Sequence, residues 1–229
     1  IFTHAPAVGV YTDGQVTAVQ HGGADRSFDQ RYIEIRAKSV VTATGCIERP
    51  LLFENNERPG VMQTECALRL ARTWGVLPGS AAVFSVGHDQ GLEAAVDLCD
   101  LGLTVAAVAD LREDGQDPQL LDALAQRRIP VLKGWVARKA HGGKHVSRAT
   151  VCTLNGHFNR EVPCDLLVAS AGLTPVTGPL TLAEARLAYD SHTGFFLPKD
   201  LPDWLQAAGR LLGLNHFEAI TASGRLAGL

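Results

Sequence analysis

Two segments of this chain end in the same way, and they constrain everything between them. The first, VVTATGCIERP (residues 40–50), is an apolar run that stops at Gly45 and turns at Pro50. The second, LLVASAGLTP (residues 166–175), stops at Gly172 and turns at Pro175. A strand that ends on glycine lets the backbone approach another group closely, and the proline beyond it diverts the chain. About a domain's length of sequence separates the two exits. The arrangement implies an inserted domain entered and left by two crossings, near residues 46–60 and 173–180.

The inserted stretch alternates strand and helix. MQTECALRLARTWG (62–75) reads as a helix with Cys66, Leu70 and Trp74 on its apolar face, widened by Ala67 and Ala71 and closed by Gly75. SAAVFSV (80–86) and LTVAAVAD (103–110) are continuous apolar runs, as expected of strands buried on both faces. Between them DQGLEAAVDLCDLG is a helix ended by Gly102. Asp117-Pro118 opens another helix through QLLDALAQRR, with an N-cap and then proline at the first helical position. IPVLKGWVA returns as strand, and ATVCTL with REVPC forms a hairpin around Asn155-Gly156.

The flanks are strand-rich. AVGVYTDGQVTAVQ carries an Asp13-Gly14 hairpin signal, HGGADRSFDQ is a polar loop, and RYIEIRAKSVVTAT begins as a half-exposed antiparallel strand and ends, at Val40-Val41, as one buried on both faces. The tail from Leu211 reads as strand, loop and helix, with AGRLLGL a short apolar run and HFEAITASGRLAGL a small-residue helix.

Composition narrows the function classes. The net charge is −3 and the charged fraction 20%, so no basic excess points to nucleic acid or an anionic membrane. No apolar run approaches the roughly 20 residues that span a bilayer. Cys46, Cys66, Cys99, Cys152 and Cys164 are odd in number and contain no CxxC, which points to buried thiols in a cytoplasmic protein rather than to zinc or a redox pair. No secretory leader is visible, and the N-terminus enters directly into strand-like sequence without Met, so the chain reads as a piece of something longer.

The motif at the centre of the inserted unit is Val86-Gly87-His88-Asp89-Gln90-Gly91. A dinucleotide fingerprint aligned on Gly91 wants glycine at 86 and 88, for the tight turn and for close approach to the pyrophosphate. Valine and histidine stand there instead, and a histidine side chain fills the space phosphates need. Gly91 keeps its helix–strand packing role, and Asp110 ends the second strand where a ribose-binding acid would sit, or where an ordinary strand-end cap would. A working nucleotide site and a turn retained only for its fold are both readings of this motif, and the residues favour the second.

Taken together, ATGCIERPLLFENNERPGVM, GVLPGSAAVFSV, LEAAVDLCDLGLTVAAVADLR, CDLLVASAGLTP and ARLAYDSHTGFFLPKDLPDWLQAAG resemble the alpha subunits of heterotetrameric sarcosine oxidases, from Val8 to Leu229. The resemblance implies an α/β fold of nested Rossmann-like dinucleotide-binding domains (the FAD/NAD(P)-binding fold), three-layered, with a β-meander. Residues 1–50 and 176–229 would be a partial outer FAD/NAD-binding domain, and 51–175 an inserted NAD(P)-binding-like domain. It implies a flavin-dependent complex that oxidatively demethylates sarcosine or a related secondary amine, with NAD as the cofactor of the intact subunit, FAD as the alternative, and no cofactor in this stretch alone. Other subunits would be its partners and would handle the small-molecule amine, so no catalytic residue is assigned; nucleic acid and membrane are not expected partners, and no metal site is expected. Alpha subunits of opine and amino-acid dehydrogenases and of hydrogen cyanide synthase resemble the exit but less of the sequence beyond it. A non-catalytic scaffold, with Trp74, Trp135, Trp204, Phe195 and Phe196 as surface candidates, is the remaining reading.

The resemblance implies that the exit Thr44-Gly45-Cys46-Ile47-Glu48-Arg49 would lie over the outer cofactor, with Gly45 permitting close approach and Arg49 able to pair with phosphate, or else with Glu48 or Glu57. Gly213-Leu214-Asn215 stands where many such flavoproteins have Gly-Asp, so the acid is missing while close backbone packing remains possible. The cofactor-binding candidates are thus Thr44, Gly45, Arg49, Gly213, Leu214, Gly87, Gly91 and Asp110. His141 and His145 are separated by two glycines and form no helical metal pair.

Overall fold

The computed structural model describes residues 1–23, 27–191 and 193–229. The polar loop expected at 21–30 lies in part, at 24–26, outside the described residues. The chain divides into two compact units, one of Ile1–Ile47 with Thr174–Leu229 and one of Glu48–Leu173. They are called outer and inner below.

The outer unit begins with an antiparallel meander of β1 (Ala7–Val10), β2 (Gln15–His21) and β3 (Gln30–Arg36), in that order across the sheet. The β1–β2 turn is the Asp13-Gly14 hairpin, with Gly14 at φ 75° donating to the Tyr11 carbonyl at 3.0 Å. The run 31–44, expected to be continuous, is two elements, because β4 (Val40–Thr42) leaves the meander and pairs in parallel with a strand near the C-terminus. Val41 is 46% exposed, so the expectation of burial on both faces fails there. Val40 and Thr42 are on the covered face of the strand, and Val41, on the opposite face, is left uncovered. The chain then passes through β5 (Cys46–Glu48) into the inner unit.

The inner unit runs β6 (Val61–Met62), α1 (Thr64–Trp74), β7 (Ala81–Val86), α2 (Asp89–Asp100), β8 (Thr104–Asp110), α3 (Pro118–Gln126), β9 (Val131–Lys133), β10 (Trp135–His141), β11 (Arg148–Thr153), β12 (Asn159–Pro163) and β13 (Leu166–Ser170). Five strands make one parallel sheet in the order β6-β13-β7-β8-β9. Side chains alternate across it with period two. Phe84, Val86, Leu166 and Val168 meet Ala67, Leu92, Leu98 and Leu124 of the three helices. Val83, Ala109 and Leu167 meet Ala137, Ala140, Val151 and Val162 of the antiparallel sheet β10-β11-β12. The unit therefore has three layers: helices, parallel sheet, meander. Each fully buried Leu or Phe in it is worth roughly 1.5–3 kcal/mol of transfer free energy.

Three sequence expectations change here. The buried face of α1 is Thr64, Ala67 and Ala71, while Cys66 and Trp74 are exposed, Trp74 by 70%. Small residues let the helix lie close against the sheet, which a search for large apolar side chains does not register. IPVLKGWVA is not one strand: Gly134, at φ 71°, ends β9 in the parallel sheet and starts β10 in the meander. Of the thiols, Cys152 and Cys164 are buried as expected, and burial with the neighbouring Asp165 pushes Cys164 up to about 11; Cys66 is exposed.

Through β14 (Leu173–Pro175), which pairs with β5, the chain returns to the outer unit. Next come α4 (Gly178–Leu182), the hairpin β15 (Arg186–Asp190) and β16 (Phe195–Asp200), then β17 (Leu205–Ala207) and α5 (Phe217–Ala227). β17 is the parallel partner of β4. The run AGRLLGL is a 3₁₀ turn at Gly209–Leu212 rather than a strand, held between Gly209 and Gly213, both near φ 76°. The outer core is small: Val10, Leu180, Ala183, Ala185, Leu205, Ala207 and Leu211. Among the described residues no helix is long and apolar enough to cross a membrane.

Candidate functional site

In the outer unit the two parallel strands β4 and β17 point their C-terminal ends the same way, and both lead into glycine turns. In open α/β sheets that edge is where ligands bind. Gly45 has φ 70°, and among the described residues no atom lies within 4 Å of where its Cβ would be, so glycine is required by backbone conformation and leaves open space beside it. Thr44 Oγ1 donates to the Val176 carbonyl at 2.7 Å, and the Val176 N–H donates to the Gly45 carbonyl at 2.9 Å. Cys46 Sγ reaches the Arg210 carbonyl at 3.2 Å, which places the exit alongside the Gly209–Leu212 turn. Burial raises the Cys46 thiol above its ordinary value, against an opposing pull from Arg210. Gly213 faces the protein: a Cβ there would meet Leu197 at 3.2 Å and Phe195 at 3.7 Å. Leu214 is half-buried beside it, and the neighbouring His216 is the exposed N-cap position of α5. The outer candidates Thr44, Gly45, Gly213 and Leu214 thus gather at one strand edge.

In the inner unit the crossings run side by side. The Arg49 N–H donates to the Gly172 carbonyl and the Ala171 N–H to the Arg49 carbonyl, both at 2.8 Å. The Arg49 guanidinium donates to the Leu173 carbonyl at 3.2 Å. Glu48 has a different task from the ion pair considered for it. Its carboxylate accepts the Thr64 N–H at 3.0 Å and the Glu65 N–H at 2.9 Å, capping α1 from 16 residues upstream.

The turn between β7 and α2 is closed where a dinucleotide fingerprint is open. A Cβ on Gly91 would lie 2.6 Å from Val86 Cβ, so Gly91 serves helix–strand packing. Gly87 is half-buried near the Ala171 carbonyl and Leu111. His88 turns inward, with Nε2 3.0 Å from Ser170 Oγ, while Nδ1 is buried without a hydrogen-bond partner among the described residues. Burial holds its pKa below the ordinary value, opposed by Glu48, Asp110 and Asp89 and aided by Arg112. Asp110 is fully buried at the end of β8 and gripped by Arg112. These residues do not fit a dinucleotide: no glycine clears room at 86 or 88, and the acid is already taken.

Arg112 and Ser170 are the participants that sequence reasoning misses, and of Glu48, considered there only as an ion-pair partner, it misses the capping role. Ser170, the one polar residue in LLVAS, and the Asp-Leu-Arg at the end of β8 are the signals that could have found two of them. Glu48 has none, because its helix lies far along the chain. Of the surface aromatics considered, Trp74 and Phe196 are exposed, Phe196 by 61%, while Trp135, Trp204 and Phe195 are half-buried. His141 Nε2 lies 2.7 Å from Thr150 Oγ1, and no group of three metal-binding side chains occurs among the described residues.

The same architecture and much of the sequence recur in known proteins, although no protein-family model matches the chain. It is 30% identical over 204 residues to the sarcosine oxidase alpha subunit of Corynebacterium sp. (strain U-96), covering 85% of this chain and 20% of that one. To the alpha subunit of Corynebacterium sp. (strain P-1) it is 29% identical over 233 residues, covering 96% of this chain and 24% of the relative. The chain thus spans about a fifth to a quarter of the length of these relatives. Among solved structures, L-proline dehydrogenase from P. horikoshii superposes with a TM-score of 0.66 at 25% identity, covering 98% of this chain and 39% of that one. T. acidophilum thioredoxin reductase superposes with a TM-score of 0.70 at 16% identity, covering 97% and 70%. The resemblance to sarcosine oxidase alpha subunits is therefore shown, and so is the nested Rossmann-like fold.

Proposed function

We propose that this chain is part of the alpha subunit of a flavin-dependent complex that oxidises sarcosine or a related secondary amine. The observation that supports it most is the similarity to sarcosine oxidase alpha subunits across most of the chain. In this reading sarcosine, O₂ and water give glycine, formaldehyde and H₂O₂, with the substrate's hydride passing to a flavin outside this chain. The outer unit contributes to an NAD site, with FAD the alternative. When bound, a dinucleotide of this kind accepts or donates a hydride. Here Gly45 would let its backbone come close, while Thr44 is spent on the turn that holds Gly45 in place. Gly213 and Leu214 would support that edge by packing. The inner unit would carry the fold without a cofactor.

Purification of the whole protein with its accompanying subunits tests the reading. Oxygen uptake with sarcosine, matched by formaldehyde release, and NAD recovered in the acid extract are the expected results. Oxidation of opines or of a secondary amino acid such as proline, with sarcosine inert, would replace the substrate assignment. An assembly with neither activity nor bound dinucleotide would leave the scaffold reading in its place.

A further inference from the structure

We propose that the β7–α2 turn of the inner unit is closed by the chain's own side chains, Arg112 and His88 occupying the two places where a nucleotide would touch it. Asp110 accepts three bonds from one residue: the Arg112 backbone N–H at 2.9 Å and Nε at 3.1 Å on Oδ1, and a terminal guanidinium nitrogen at 2.8 Å on Oδ2. The same terminal nitrogen reaches Asp89 Oδ1 at 2.9 Å, on the first residue of α2. Asp89 Oδ1 in turn accepts the Asp117 N–H at 3.3 Å, from the residue that caps α3. One guanidinium therefore ties the end of β8 to the start of α2, and the Asp89 carboxylate carries the link on to the start of α3. A ribose would need the Asp110 carboxylate as a free acceptor; it is buried and held by a bidentate cation.

His88 closes the other place. Its ring sits over the exit of β13, with Nε2 on Ser170 and Cδ2 3.7 Å from where a Cβ of Gly172 would be. Ser170 Oγ also accepts the Gly172 N–H at 3.4 Å. The imidazole thus packs between the turn and the crossing, in the gap that pyrophosphate fills in a glycine-rich turn. The positions a ligand would bridge are bridged internally, so the inner unit holds its shape with no nucleotide.

This rests on the reading that the cofactor belongs to the outer unit, and amide hydrogen exchange on the protein in its native assembly tests the two separately. In the unaltered protein, millimolar NAD, NADP or ADP is expected to leave exchange over residues 86–91 and 110–117 unchanged. His88→Ala is expected to speed exchange at least tenfold at 86–91 and 171–173. A D110N/R112Q double variant, which removes both charges together, is expected to do the same at 110–117. Exchange over residues 148–163 stays as it was in each. Nucleotide-dependent protection of the inner turn would overturn both proposals. Variants that remain as protected as the parent would overturn the self-closure alone. Should the double variant unfold as a whole, the His88→Ala result decides by the same criterion.

Discussion

A methyl group on Gly91 would sit 2.6 Å from both Cβ and Cγ1 of Val86, atoms that a β-branched side chain in a buried strand cannot move aside. Gly91→Ala is therefore expected to cost about 1–3 kcal/mol, the range of an overpacked core, read as a lower urea midpoint. Three residues earlier, His88 sets a pH dependence. Its folded pKa lies below the ordinary histidine value because burial disfavours the charged ring. As pH falls through about 6.5 the unfolded chain takes up the proton while the folded chain does not. The stability associated with the neutral ring is thus complete above about pH 6.5 and lost as pH falls from there through the lower folded value. Urea midpoints measured from pH 8 to pH 5 should decline less steeply for His88→Asn than for the parent. Parallel declines would show that His88 is as accessible to protons folded as unfolded.

At the scale of elements, α1 depends on a residue outside it. Gln63, at its N-cap position, makes no side-chain cap bond, and the Glu48 carboxylate accepts the first two amides instead. An anion at a helix N-terminus is favoured by both hydrogen bonding and the helix dipole. Glu48→Ala should cost about 1–2 kcal/mol, with faster amide exchange concentrated at Thr64–Ala67 and little change in α3, whose cap is its own Asp117. An effect spread evenly over all helices would exclude a capping role. The contrast between the two helices separates what is legible in the sequence from what is not. Asp117-Pro118 is a local signal and can be read directly; so can the β7, β8 and β13 runs, whose unbroken apolar character reflects burial on both faces. The buried stripe of α1 misleads because Ala67 and Ala71 carry less hydrophobicity than Leu70 and Trp74, although closeness to the sheet rather than side-chain size selects the face. The Glu48 cap is a tertiary contact with no sequence signature, whereas the Arg112–Asp110 pair is local, two residues apart, and only its bond to Asp89 depends on the fold. The chemistry of the candidate turn is half legible: His88 shows as an obstruction, but its partner Ser170 does not.

On the scale of the whole molecule, the two units differ in how much each can hold by itself. Among the described residues, the inner unit has two cores, one on each face of its parallel sheet, and the outer unit has one. The inner unit also closes on itself: next to its two ends, Arg49 and the Ala171–Gly172 segment are joined by reciprocal backbone bonds. A segment with adjacent ends and its own complete core has the attributes of a domain that folds by itself. The outer unit has a smaller core made from two separated stretches of chain, and its α5 buries no residue, leaving Phe217 and Leu226 largely exposed. Residues 48–173 expressed alone should therefore unfold in one cooperative urea transition, with an m-value of about 1–3 kcal/mol per molar. The midpoint should match the later of two transitions in the full chain, because the outer unit has less buried apolar surface to lose. A broad transition with exposed apolar surface, detected by dye binding, would mean that the inner sheet needs the outer strands to reach its native packing. A single shared midpoint in the full chain, with the excised segment unfolded, would make the two units one cooperative body.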